Sequence, residues 1–246
     1  MPNFNGLATL YGLGYVPGTW ISAISISKGT SSVANGAEGI TGQISVDYKK
    51  PQNSPKFSIN MMANSSSRME LNADGAWKIN DHLSTMVLGH VANETLRKED
   101  GNKDGFLDGP LMEEYHLMNR WNYDGHEYTA QWGVNGLYEK RTAGQLPDVE
   151  NRYGIGIEAI RAEAFTKHAW EMEHEKESSL ALILQGIYHK HDSFYGKKTY
   201  NAQQGNFYGN LVFMSNLVDH SNMHKIKAGV GVTADWLDEV ILGNVV

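Results

Sequence analysis

Alternation of apolar and polar residues, kept up through segment after segment, is what most limits the folds open to this 246-residue chain. In 68–78, Met69, Leu71, Ala73, Gly75 and Trp77 fall on one side, and Arg68, Glu70, Asn72, Asp74 and Lys78 on the other. In 127–139, Tyr128, Ala130, Trp132, Val134, Gly136 and Tyr138 oppose Glu127, Thr129, Gln131, Asn135 and Glu139. Near the end, Ile226, Ala228, Val230, Val232, Ala234 and Trp236 oppose Lys225, Lys227, Thr233 and Asp235. A period of two sends successive side chains to opposite faces of a strand. Apolar faces that end in Trp or Tyr suit a strand facing lipid, with its amphipathic rings at the interfaces. Strands of this kind, about ten residues long, are the signature of a membrane β-barrel. The fold class is all-β, with antiparallel strands predicted at 56–64, 67–78, 83–94, 112–123, 127–139, 157–172, 179–190, 206–217 and 224–236.

The connections add a second constraint. Short turns fall near 79–82, 123–126, 173–178 and 219–223, with longer polar links near 95–110, 140–156 and 191–205. Outer-membrane barrels pair short periplasmic turns with long extracellular loops. Counted along the chain, every short turn lands on one side. Residues 157–174, rich in Ala and Glu, could also be read as a helix, but the flanking strands favour a long strand.

Composition narrows the function classes. The net charge is −7 and no Lys/Arg cluster stands out, so no nucleic-acid footprint is present. No run of 18 apolar residues exists, which excludes a membrane-spanning helix but not a barrel. The absence of Cys removes disulfides and thiolate metal sites. Six Trp and twelve Tyr can supply aromatic girdles. They could equally serve as sugar platforms in a soluble carbohydrate-binding β-sandwich, and an outer-membrane or secreted adhesin would share the girdled strands. The first ten residues have neither a charged nor an apolar region of the signal-peptide kind. The chain therefore reads as starting inside a domain.

One stretch, 20–51, departs from the barrel pattern. A strand with alternating Ile21, Ala23, Ser25 and Ser27 is broken by Lys28-Gly29. Thr30, Ser31 and Ser32 offer capping hydroxyls for a short helical turn. Gly36, Gly39 and Gly42 then recur every third residue, and a strand with Ile44, Val46 and Tyr48 on one face runs to Pro51. This arrangement resembles the end of the plug domain of TonB-dependent outer-membrane receptors. The matching residues are Gly36, Glu38, Gly39, Ile40, Gly42, Gln43, Ile44, Val46 and Pro51, with Tyr11-Gly12-Leu13-Gly14 fitting the plug segment before them. Lys28 stands where Arg is commoner. The middle-strand spacing and residues 200–204, read as a loop, look most like receptors of the Bacteroidetes type.

The resemblance implies a domain division: 1–51 as the C-terminal part of a plug and 52–246 as the N-terminal portion of a transmembrane barrel. A plugged barrel needs about 22 strands, so the chain reads as a fragment. It further implies a Gram-negative outer membrane with its lipid as surroundings. The expected ligand is an extracellular small molecule such as a siderophore, cobalamin, another metal chelate or a glycan. A TonB complex would couple through an N-terminal segment outside this chain. No enzyme chemistry is expected, and no nucleophile–base constellation or phosphate-cradling loop is present.

Three groups of residues are candidate sites. Asp100, Asn102, Asp104 and Asp108, with Gly105 at the sixth position and the Phe106 carbonyl, match the start of an EF-hand-type calcium loop. Position twelve is Leu111 rather than a bidentate Glu, and a solvated acidic loop tip is the alternative. No other cofactor is expected. His189 and His191, two apart in a strand, would point into the lumen, either as ligands or simply as polar lining; His90 and His116 are placed there too. Glu70 and Asp74 are inward carboxylates that could hold the plug by pairing with Lys28.

Overall fold

The computed structural model describes residues 5–30, 41–65, 67–95, 100–146, 153–173, 178–216 and 225–243. Short 3-10 turns at Gly6–Leu10, Gly12–Tyr15 and Gly18–Trp20 lead into a hairpin of β1 (Ile21–Lys28) and β2 (Gly42–Tyr48). Pro51 starts another 3-10 turn, Pro51–Asn53, and ends β2 as expected of a residue without an N–H. Gly36, Glu38 and Gly39 lie outside the described residues, as does the short helical turn expected after Thr30.

The rest is one antiparallel sheet in strict sequence order. Its strands are β3 (Phe57–Ala63), β4 (Met69–Lys78), β5 (Leu83–Asn93), β6 (Leu111–Asp124), β7 (Tyr128–Gly144), β8 (Gly154–Glu173), β9 (Ser178–Tyr195), β10 (Lys198–Asn216) and β11 (Lys225–Gly243). All nine expected strands are present, in a single sheet rather than the two facing sheets of a sandwich. The Ala- and Glu-rich segment is strand β8, its side chains alternating across the ladder to β7 and β9.

One expectation about the connections fails, and with it the rule that every short turn falls on one side. The long polar link at 191–205 does not exist: β9 and β10 run on to Tyr195 and Lys198 and close through Gly196 and Lys197. Gly196 has φ +62, which its missing Cβ makes inexpensive. Residues 200–204, read as loop, are paired strand on both sides. A strand that continues past the apolar zone carries polar side chains on both faces, and composition alone mistakes it for a loop.

The two faces differ as the alternation requires. On the apolar face, Trp121 and Trp132 stack at 6.1 Å with planes 1° apart. Tyr123, Tyr128, His168 and Trp170 extend this cluster along the short-turn end. At the far end Tyr115 meets Tyr138 at 6.2 Å. Eight residues separate Tyr115 from Tyr123, about 27 Å of strand, close to the ~25 Å apolar band of outer-membrane barrels. Between the belts lie residues such as Leu117 and Val134, both exposed.

Candidate functional site

The opposite face is polar, yet it is covered. Asn72, Asp74, His90, Glu114, His116, Arg120, Glu139, Arg161, Glu163, Gln185, His189, His191, Gln204 and Asn206 are all buried on it. Residues 5–20 and 48–51 supply much of the cover. Burying so many polar groups is tolerable only where hydrogen bonds replace water, so the pattern of partners shows how the segment is held.

Over β4–β6 the hold is dense. Trp20, 1% exposed, packs among Ala76, Met86, Leu88 and Met118, with Tyr48 against the cluster. Burial pushes the Tyr48 phenol up to about 12, so it stays neutral. Lys49 Nζ reaches Asp74 Oδ1 at 3.0 Å, and Arg120 Nη1 donates to the Lys49 carbonyl at 2.8 Å. The Lys49 amide donates to the Trp20 carbonyl at 2.8 Å, tying the two ends of the hairpin together. Thr19 Oγ1 donates to Asn72 Oδ1 at 2.7 Å, and the same oxygen lies 2.7 Å from His90 Nδ1. His116 Nε2 lies 2.5 Å from Glu114 Oε1, and its ring is 5.4 Å from that of His90.

Over β7–β11 the hold is sparse. The Leu7 amide donates to Gln204 Oε1 at 3.0 Å. Arg141, paired with Glu139 at 2.5 and 2.9 Å, lies over the Tyr11 ring at 4.8 Å. Tyr15 packs with Ala8 and Leu137, and its ring edge meets His189 at 5.9 Å. Burial raises both Tyr11 and Tyr15 above the usual phenol value. Neither ring nitrogen of His189 has a protein partner, nor does either amide atom of Asn206.

The candidate residues fall as follows. His189 and His191 share the covered face of β9, 1% and 4% exposed. His90 and His116 meet each other on β5 and β6, away from that pair. Among the described residues no three His, Asp or Glu side chains converge on a common metal position. Lys28 is exposed at the end of β1, opposite Gly42, and does not reach the inward carboxylates. Lys49 takes Asp74 instead, and Arg68 takes Glu70 at 2.6 Å. Gly29, at φ +85, turns the chain after β1. Gly42 is close-packed, since a side chain there would meet the Ser27 carbonyl at 2.8 Å. Sequence reasoning missed Lys49, Trp20, Arg141 and Gln204. The signal for Lys49 was its place beside Pro51, where β2 must leave for the wall.

The acidic loop is closed on itself. Asp100 accepts from the amides of Asp104 and Gly105 at 3.0 Å each, Asp104 from Phe106 at 2.8 Å, and Asp108 from Gly101 at 2.7 Å. Asn102 Oδ1 accepts from the Asp104 amide at 3.1 Å. Phe106 bridges to Gln145, and Leu107 and Leu146 donate to Gly144 and Gly105 at 2.9 and 2.8 Å. Residues 105–107 are thus clasped to the tip of β7.

With this geometry in view, two solved structures share the fold. The siderophore receptor PiuA from Acinetobacter baumannii matches with a TM-score of 0.64 over 90% of this chain, at 11% identity. The ferric-catecholate import receptor Fiu from E. coli K12, in an open form, matches with 0.62 over 91%, at 13% identity. The likeness is one of fold, an antiparallel β-sheet in sequence order. The chain spans 35% of PiuA and 40% of Fiu. No family model and no curated protein sequence matches it.

Proposed function

We propose that this chain is the plug end and the first nine wall strands of a TonB-dependent receptor. It would take up a scarce nutrient across the outer membrane of a Gram-negative bacterium. One observation carries this reading: residues 5–20 and 48–51 lie across the buried polar face of a nine-stranded sheet whose other face is apolar and ringed with aromatics. A polar lumen blocked by its own chain is a gate, and an apolar exterior needs lipid. Domain boundaries at 51/52 follow from the same reading. A TonB complex would act through a segment preceding this chain, and the Bacteroidetes affinity rests on sequence likeness alone. PiuA is a siderophore receptor and Fiu a ferric-catecholate import receptor, which makes a ferric siderophore the first ligand to try, ahead of cobalamin, another metal chelate or a glycan.

The test is uptake of a radiolabelled ferric catecholate by iron-starved cells expressing the full-length protein. Accumulation that an uncoupler abolishes, with heat-modifiable protein in the outer-membrane fraction, is the expected result. Recovery in the aqueous fraction would overturn the reading. The acidic loop enters as a calcium site on the outside, with Asp100, Asn102, Asp104, Asp108 and the Phe106 carbonyl as ligands. Calorimetry should give a calcium-binding heat that Asp104→Ala removes; no heat in the unsubstituted protein would dispose of the site.

A further inference from the structure

A cleft of about 400 Å³ opens under the clasped residues 105–107, at the end of the sheet that carries the two-residue β9–β10 turn. Its volume is within the range of small-ligand sites. Much of its lining belongs to the apolar face of the sheet, not the covered one. Leu111 and Glu113 continue the outward row of Tyr115 on β6, and Lys140 and Thr142 continue that of Tyr138 on β7. Glu113 and Lys140 face each other across the ladder one outward pair beyond the Tyr115–Tyr138 belt, about 7 Å higher. That is the level where lipid headgroups sit above an aromatic girdle. Leu107, from the clasped link, and Phe194, from β9, supply the apolar walls, and Lys140 is exposed at the rim.

We propose that this cleft binds an outer-leaflet lipid, with an acyl edge against Leu107, Leu111 and Phe194 and a phosphorylated headgroup at Lys140. This rests on the membrane reading above. A cavity opening outward at headgroup height is offered to lipid before any solute inside the lumen. Glu113 on β6 and Glu158 on β8 flank Lys140 across the ladder, which makes a bare anion a poor fit. A headgroup that presents phosphate together with hydroxyl or amide donors satisfies the lysine and the two carboxylates beside it. The clasp from Gly105 and Leu107 to Gly144 and Leu146 holds the roof in place, so the cleft is formed before the lipid arrives.

The full-length protein, purified in detergent, would be titrated with lipid A and examined by native mass spectrometry. One retained lipid A per protein is expected, with retention reduced about tenfold in Lys140→Glu and in Leu107→Asp. Both substitutions leave the strand ladder intact, because Lys140 is exposed and Leu107 uses its backbone in the clasp. Heat-modifiable migration verifies that each variant still folds as a barrel. Equal lipid retention in all three proteins overturns the proposal. So does loss of ferric-siderophore binding in the variants with lipid retention unchanged, which would assign the cleft to the soluble ligand. Loss of heat-modifiability in the unsubstituted protein would instead strike at the membrane reading itself.

Discussion

The segment covering the polar face is held in two ways. Over β4–β6 it contributes a buried indole, an ion pair to Asp74, a carbonyl gripped by Arg120 and a hydroxyl on Asn72. Over β7–β11 it contributes a backbone amide to Gln204, a tyrosine ring under Arg141 and a ring edge on His189. The wall beneath differs accordingly. Asn72, Asp74 and Arg120 each engage the segment or its neighbours, whereas neither His189 nor Asn206 makes a side-chain hydrogen bond. Unpartnered atoms occur under both halves, Trp20 Nε1, Asp74 Oδ2 and Arg120 Nε among them, so the difference lies in the packing and the bonds that are made. The Trp20–Lys49 region is therefore an anchor, and residues 5–15 are the part that can leave.

The largest expected effect breaks the anchor. Trp20→Ala should cost about 3–5 kcal/mol, the usual range for emptying a packed aromatic site. A lowered unfolding temperature would register it; a change below about 1 kcal/mol would mean that the indole cluster is not the hold. Next comes Asp74→Ala, which strands Lys49 and should cost about 1–3 kcal/mol. Lys49→Met, which keeps much of the stem and removes the charge, should cost about as much if the ion pair matters. Lys28→Glu should do nearly nothing, since Lys28 is exposed and far from this pairing.

That contrast also shows where the sequence was readable. Period-two alternation located every strand, because a sheet with one apolar face and one covered polar face forces Met69, Leu71 and Trp77 apart from Glu70, Asn72 and Asp74. The ends of strands were less legible. The β9–β10 hairpin continues to Tyr195 and Lys198, beyond the apolar zone, where alternation no longer separates two environments. The anchor was misassigned for a different reason. Which lysine meets Asp74 depends on how far β2 runs before it turns, and Lys28 and Lys49 are at opposite ends of the same hairpin. Tertiary pairing of this sort leaves no local pattern. Gln204 is likewise an ordinary polar residue until residues 5–8 are laid over it.

The removable half can be tested with smaller changes. Gln204→Ala takes away the acceptor for the Leu7 amide and also the partner of Asp235. A loss of about 1 kcal/mol is expected, seen as roughly fivefold faster hydrogen exchange at Leu7 while the Lys49 amide, bonded to Trp20, is unchanged. Faster exchange at both amides would mean that anchor and removable half move as one body, and the comparison would fail.

The finest probe is the Arg141–Tyr11 contact. Tyr11→Phe keeps a ring under the guanidinium and should be almost silent, because the attraction comes from the face of the ring. Tyr11→Leu keeps apolar bulk and removes the ring, and about 0.5–1 kcal/mol should be lost. Arg141 would still be paired with Glu139 through two hydrogen bonds, so the wall itself should be unaffected. The measurement is again exchange in residues 7–15, with strand amides of β7 as the internal standard. If Tyr11→Leu loosens β7 as much as residues 7–15, the ring is supporting the wall and not merely resting on it. If only residues 7–15 loosen, the sparse half is held by contacts weak enough to break one at a time, leaving Trp20 and Lys49 in place as the pivot.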